Sequence, residues 1–305
     1  MLIKTWVLAT LLTLSPVPVS VLPTALTRSP DRPVLEPRGA GWEAHAVFNP
    51  SVLWEDGHYA MFYRAQDARG VSRIGLATSQ DGVTFARQDT PVLSPEGPSE
   101  AGGVEDPRLI RIGDQYLLTY TAYDGRSVAR LSAATSRDLK TWTRLGPMVE
   151  GLWTKSGAIL NRPLGGLYFM YFGDKSIRLA TSPDLKTWSV EAQAVIAPRP
   201  GGWDEGGVEP GPPPILTPRG ILLLYNGRDR NNVYAVGVVL LDAGDPGHVL
   251  ARSDKPILSV AKPYERAGTV PNVVFAEGMV LRAGKLEIWY GAGDRVIGRA
   301  EVPWP

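Results

Sequence analysis

The 305-residue sequence contains no cysteine, which excludes disulfides, thiolate-ligated zinc and iron–sulfur centres. It has three histidines, His45, His58 and His248, too scattered for a His-rich metal site, so no metal is expected. Neither sign of charge is in excess. The 32 basic and 31 acidic residues leave a formal charge of +1 and no basic block of the kind that tracks nucleic acid. No apolar run approaches the roughly 20 residues of a membrane-spanning helix. The run at residues 6–14 is stopped by Ser15 and Pro16. With one lysine ahead of it, residues 1–27 resemble a signal peptide, although no A-x-A cleavage site follows. The expectation is a leader over 1–27 on a secreted or periplasmic protein, without stable membrane insertion. A cytoplasmic protein with an unstructured leader is the alternative.

What is present is glycine (33), proline (27), tryptophan (9) and tyrosine (11) in a chain that is 44% hydrophobic. That mixture suits many short strands joined by tight turns. Stretches at 57–87, 113–144, 165–189, 219–242 and 283–305 repeat one plan. A glycine at a turn precedes an apolar strand ending in Tyr63, Tyr120, Tyr171, Tyr225 or Tyr290. An aspartate follows: Asp67, Asp124, Asp174, Asp229 or Asp294. Three units then share a turn, SQDGVTF, SRDLKTW and SPDLKTW, in which Asp81, Asp138 and Asp184 are expected to bond backbone N–H groups rather than to do chemistry. No amphipathic helix interrupts the units. Five units of three or four strands predict an all-β fold, a five-bladed β-propeller forming a single domain over residues 28–305. A two-sheet sandwich would not explain the recurrence.

Each unit is preceded by a strand with a polar head: FNPSVLW, VEDPRLI, TKSGAIL, VEPGPPPIL and NVVFAEGMV. In a propeller these heads converge at one mouth of the central channel. They bring Asn49, Glu105 with Asp106 and Arg108, Lys155 with Ser156, Glu209 and Asn272, joined by Arg64, Asp67, Tyr123, Asp124, Asp174 and Asp294 from the hairpins. Trp54, Trp153, Trp203 and Trp289 are expected nearby. Carboxylates, amides and aromatic faces together suit a sugar. Glycosidic cleavage needs a proton donor and a nucleophile or base on the opposite face. Glu105 or Asp106 fits the donor, and strand alternation points only one of them into the channel.

From about residue 40 onward the chain resembles glycoside hydrolase family 130, the inverting β-mannoside phosphorylases and related β-mannoside hydrolases. The resemblance is carried by FNPSVLW, MFYRAQD, IGLATSQDGVTF, GGVEDPRL, TYTAYDG, TKSGAIL, VEPGPPPI, YERAGTVPNVVF and WYGAGD in order. It implies the same five-bladed fold, with Asp106 as general acid acting through a sugar hydroxyl. It also implies Arg64 and Lys155 as phosphate-binding residues, and Asn49 and Asp294 as contacts to the mannosyl unit. No cofactor is implied beyond inorganic phosphate as co-substrate. The partner is a β-mannoside or oligosaccharide, not nucleic acid, and homo-oligomerisation is left open.

Asn49 bears on the mechanism. Related five-bladed glycosidases carry an aspartate base at that position, and an amide cannot act as one. Phosphate is already an anionic nucleophile, so phosphorolysis is the first expectation. Two departures oppose it. Asn226 stands where many family phosphorylases carry histidine, and Phe172-Gly173-Asp174 stands where many carry Arg-Pro. Arg126, Arg130, Arg178 and Arg228 are candidate substitutes. Hydrolysis is the alternative and needs a carboxylate base, Glu209 with Glu105 behind it. A non-catalytic glycan-binding propeller is the third reading.

Overall fold

The computed structural model describes residues 22–304. The first strand, β1 (Thr27–Arg28), belongs to the last blade. Blade one is β2 (Ala46–Glu55), β3 (His58–Gln66), β4 (Ser72–Ser79) and β5 (Ala86–Arg87). Blade two is β6 (Gly103–Ile112), β7 (Gln115–Tyr123), β8 (Ala129–Ser136) and β9 (Thr143–Pro147). Blade three is β10 (Ala158–Ile159), β11 (Tyr168–Phe172), β12 (Ile177–Ser182) and β13 (Ser189–Ile196). Blade four splits its inner strand into β14 (Gly207–Pro210) and β15 (Ile215–Thr217), followed by β16 (Gly220–Arg228), β17 (Tyr234–Leu241) and β18 (Val249–Arg252). Blade five is β19 (Val274–Arg282), β20 (Lys285–Ala292) and β21 (Val296–Pro303), with β1 pairing β21 through Thr27↔Glu301 and Arg28↔Ala300. A short helix, α1 (Pro263–Arg266), precedes blade five. Within blades the pairing is antiparallel throughout.

The ring is visible in the core. Five apolar clusters fill five seams. One joins blades one and two through Phe62, Ile74, Leu109 and Leu118, and another joins blade five to blade one through Trp289, Ile297, Tyr59 and Met61. The remaining three fill the seams between blades two and three, three and four, and four and five. Both faces of a middle blade strand therefore pack, so β16 reads ILLLY rather than alternating. The fold is the expected five-bladed β-propeller.

Leu22 and Leu26 are buried in the seam of blades four and five, just ahead of β1. The boundary expected at residue 27 thus falls on a strand built into the last blade, and the apolar run at 6–14 lies outside the described residues. No helix among the described residues is long and apolar enough to cross a membrane.

The repeated tyrosines and aspartates have structural explanations. Tyr63, Tyr120, Tyr225 and Tyr290 each donate a hydroxyl to a buried carboxylate: Glu43 (2.5 Å), Glu100 (2.8 Å), Asp204 (3.0 Å) and Glu265 (2.8 Å). An arginine from the blade's outer strand completes each clasp: Arg87, Arg144, Arg252 and Arg28. Gly75, Gly237 and Gly298 make room, because any side chain there would collide with the tyrosine ring. Asp81, Asp138 and Asp184 each accept two backbone N–H bonds in their turns, as expected.

Candidate active site

Proline shapes the polar heads. Asn49 (φ 48°) and Asp106 (φ 53°) each precede a proline and hold left-handed backbone that side chains other than glycine rarely adopt. Each is the extra residue of a β-bulge: β2 slips on β3 between Phe48 and Pro50, and β6 slips on β7 between Glu105 and Arg108. Proline offers no N–H to the ladder, so the break costs little there, and the bulge re-aims the side chain. Ser156 (φ 58°), Asn272 (φ 61°) and Asp294 (φ 47°) hold the same conformation, a concentration typical of functional sites.

The bulge overturns the alternation argument. Both carboxylates of the Glu-Asp pair reach one guanidinium. Arg64 of β3 donates Nη2 to Glu105 Oε1 at 2.6 Å and Nη1 to Asp106 Oδ1 at 3.0 Å. Asn49 Nδ2 donates to the same Asp106 oxygen at 2.9 Å, while its Oδ1 is buried without a partner among the described residues. Ser72 takes Arg64 Nε at 2.9 Å and donates to Glu105 at 3.3 Å. Across the channel, Glu209 of β14 accepts the Ser156 hydroxyl at 2.9 Å.

The floor is built by Arg108. It crosses from blade two to the carbonyls of Pro210 (2.8 Å) and Gly211 (2.7 Å) in blade four and pairs with Glu277 of blade five at 2.7 Å. Glu277 is fully buried, and its two oxygens receive no other bond among the described residues. Sequence reasoning misses this acid. Its signal is a lone carboxylate inside VVFAEGMV, followed by a glycine, at a bulge between Ala276 and Gly278. Asn226 is used up by structure: its amide donates to the Ala276 carbonyl (3.0 Å) and accepts the Ala276 N–H (2.8 Å), stapling blade four to blade five.

Charge is unevenly held. Burial works to raise the Asp106 carboxyl, but Arg64, Lys155, the Asn49 amide and Arg108 outweigh it and hold it down at about 2. Burial pushes Glu105 up, and the neighbouring Asp106 charge adds to that. Burial lifts Glu209 to about 7 against the pull of Lys155, Ser156 and Arg108. It lifts Asp294 to about 6 and Glu277 well above the carboxylate range. Lys155 is raised despite burial because Asp106, Glu209 and Glu105 surround it.

Asn49, Arg64, Glu105, Asp106, Lys155, Glu209 and Asp294 therefore share one electrostatic cluster. Other expected ligands stand apart. Asp67 spends its carboxylate on the backbone N–H groups of Arg69 and Val71 and on Arg73, and Asp124 likewise caps its own turn. Tyr123 reaches only the Arg126 carbonyl, at 3.4 Å. Asp174 accepts the Trp153 indole N–H at 2.6 Å, at the outer edge of the mouth beside Lys155. Of the four tryptophans expected there, only Trp153 is presented. Trp289 is buried, Trp203 stacks on Tyr225, and Trp54 packs under Arg282. Among the described residues no group of acids and histidines is arranged to hold a metal.

Known proteins share this chain's sequence and fold. A family model described as beta-1,4-mannooligosaccharide phosphorylase matches residues 28–304. The 1,2-beta-oligomannan phosphorylase of Thermoanaerobacter sp. (strain X514) is 37% identical over 286 residues, covering 90% of this chain and 96% of that protein. A solved putative glycoside hydrolase from Parabacteroides distasonis superposes with a TM-score of 0.88 at 32% identity, covering 93% of this chain and 97% of that one. A structure described under glycoside hydrolase family 130 enzymes that hydrolyse β-1,2 mannosidic linkages in Candida mannan superposes at 0.87, with 34% identity and coverage of 92% and 94%.

Proposed function

The chain belongs to glycoside hydrolase family 130 and is a phosphorylase or glycosidase of β-mannosides, and from that premise we propose that it hydrolyses β-1,2-mannosidic bonds with inversion, water being the nucleophile. Family membership sets aside the reading as a binder without catalysis.

The observation that carries hydrolysis is Glu209, a carboxyl held near neutrality on the far side of the cluster from the Asn49–Asp106 pair. A base is most effective with a pKa near the working pH. In the proposed reaction the terminal mannosyl unit lies on Asn49 and Asp294. Asp106 delivers a proton to the leaving oxygen by way of a sugar hydroxyl. Glu209 takes a proton from the water that attacks the anomeric carbon, giving α-mannose and the shortened chain. In the free site the single proton of the pair resides on Glu209, not Asp106. The reacting arrangement is the reverse. Both arrangements carry one proton, so kcat/KM is highest between the two values and falls as pH rises through about 7.

Phosphorolysis is the second reading. It is favoured by the Thermoanaerobacter relative and by the presence of Arg64 and Lys155. The charge around those cations weighs against it. Arg64 is bonded to two carboxylates, and Lys155 faces Asp106, Glu209 and Glu105, so a phosphate dianion would have to displace or neutralise them. The Asn226 amide is committed to Ala276, and Arg228 bonds Asn232.

The test is incubation with β-1,2-mannobiose, with β-1,4-mannobiose alongside, in the presence and absence of inorganic phosphate. Hydrolysis gives mannose at a rate indifferent to phosphate. Mannose 1-phosphate as the product, with no turnover in its absence, would establish phosphorolysis instead.

A further inference from the structure

Four blades are closed by the tyrosine–carboxylate–arginine clasp, and the third is not. Tyr171 donates instead to the Pro246 carbonyl at 2.9 Å, Leu179 lies opposite it where three other blades have glycine, and β13 carries no arginine. Glu150 precedes Ser156 by six residues, just as Glu43 precedes Asn49 and Glu100 precedes Asp106, yet Glu150 is exposed and unpaired among the described residues. The segment leading into the blade lacks that clasp and is held through its backbone, the Leu152 carbonyl accepting the Ala129 N–H at 2.9 Å and the Thr154 N–H donating to the Ala129 carbonyl at 2.8 Å. Leu152 is 62% and Trp153 51% exposed, and a cavity of about 1030 Å³ lies between the segment and the blade.

This cavity follows the seam of blades two and three, from Lys186 and Trp188 beyond one end of β12 to Lys175 and Trp153 at the other. Its inner end adjoins the active site: the Trp153 ring lies 5.6 Å from Lys155 Nζ, its indole N–H fixed on Asp174. Four cations line it, Arg130, Lys175, Arg178 and Lys186, and none forms an ion pair among the described residues, although Arg178 gives one N–H to the Glu191 carbonyl at 2.8 Å. Arg130 Nε is buried with no partner among them. Of the two acids on the wall, Glu150 and Asp174, the latter is taken by Trp153.

A neutral glycan would use the aromatic face and leave the cations unpaired. We infer that the groove receives the distal part of a mannoside chain that carries negative charge, the sugars stacking on Trp153 as they leave the active site and their anionic groups pairing with Arg130, Lys175, Arg178 and Lys186. The inference rests on the proposed β-mannoside activity and names the substrate class of that same site.

The test uses three probes: β-1,2-mannotetraose, the same tetraose oxidised to the aldonate at its reducing end, and the tetraose bearing a 6-phosphate on its reducing-end sugar. Binding is measured by calorimetry on Asp106→Asn at low and high salt, and β-1,2-mannobiose cleavage is measured in parallel on wild type and on Lys175→Ala/Lys186→Ala. One or both charged probes should bind about tenfold or more tighter than the neutral tetraose at low salt, the gap closing as salt screens it. A gain for one charged probe alone assigns the groove to that anion, and a gain for both assigns it to negative charge of either kind. The double variant, whose two lysines are exposed, should lose that gap while cleaving mannobiose at the wild-type rate. Equal binding of all three probes while mannobiose is turned over would overturn the groove assignment alone. Failure to cleave mannobiose under either phosphate condition would overturn the activity and the groove with it.

Discussion

Replacing Glu209 by glutamine should damage activity and improve stability at once. Glutamine cannot take a proton, so loss of the base should lower kcat by about 10²–10⁴-fold. The stability effect follows from burial. The Glu209 carboxyl titrates at about 7 in the fold against an ordinary 4.5, so the folded state holds a proton that the unfolded chain has already released. A raised carboxyl contributes stability below about 4.5 that is lost as pH rises through about 7. Every pH unit that separates the folded and unfolded titrations is worth about 1.4 kcal/mol, which sets a ceiling of about 3 kcal/mol; the partial exposure of Glu209 brings the expected cost to about 1–2 kcal/mol at pH 8.5. Glutamine never ionises and never incurs that cost. Urea unfolding of both proteins at pH 5 and pH 8.5 isolates the effect, because changes in packing or in the Ser156 bond cancel between the two pH values. The variant should gain about 1–2 kcal/mol over wild type on going from pH 5 to 8.5. A gain of zero, or a loss, would refute the buried-proton reasoning, and a variant with wild-type turnover would refute the base assignment.

Asp106→Asn should lose about 10²–10⁴-fold in kcat while still folding, since the amide oxygen can keep the Arg64 contact; steady-state kinetics and circular dichroism check both halves. The wild-type kcat/KM profile should fall above pH 7, and a profile flat to pH 9 would exclude Glu209 as a titrating partner. Glu265→Ala should destabilise by about 3–5 kcal/mol in denaturant melts, because it strands Arg28 and Tyr290 and removes an acceptor from the Ala261 and Lys262 N–H groups. Asn226→Leu should cost about 2–4 kcal/mol by the same measurement, leaving the Ala276 N–H and carbonyl unsatisfied.

Much of this protein is local in the chain and therefore legible there. A propeller blade is a run of consecutive antiparallel strands, so its glycine turns, its Asp-Thr-aromatic turns and its apolar strands recur along the sequence, and the repeat count is the blade count. The polar heads were legible for the same reason: FNPSV, VEDPR, TKSG and VEP each sit at the start of an inner strand. What lies between blades was not. Strand periodicity sent Glu105 and Asp106 to opposite faces, and only the proline-linked bulge put both on Arg64. Asp67, the same residue type at a recurring position, is consumed by its own turn, while Glu277, hidden in an apolar strand, became the partner of an arginine from three blades away in sequence. The aromatic expected at the mouth narrowed from four tryptophans to one, because seams between blades need large rings and took three of them. Local periodicity specifies the strands, but protonation and availability depend on which side chains from different blades share the same low-dielectric space. Closure of the ring alone decides that.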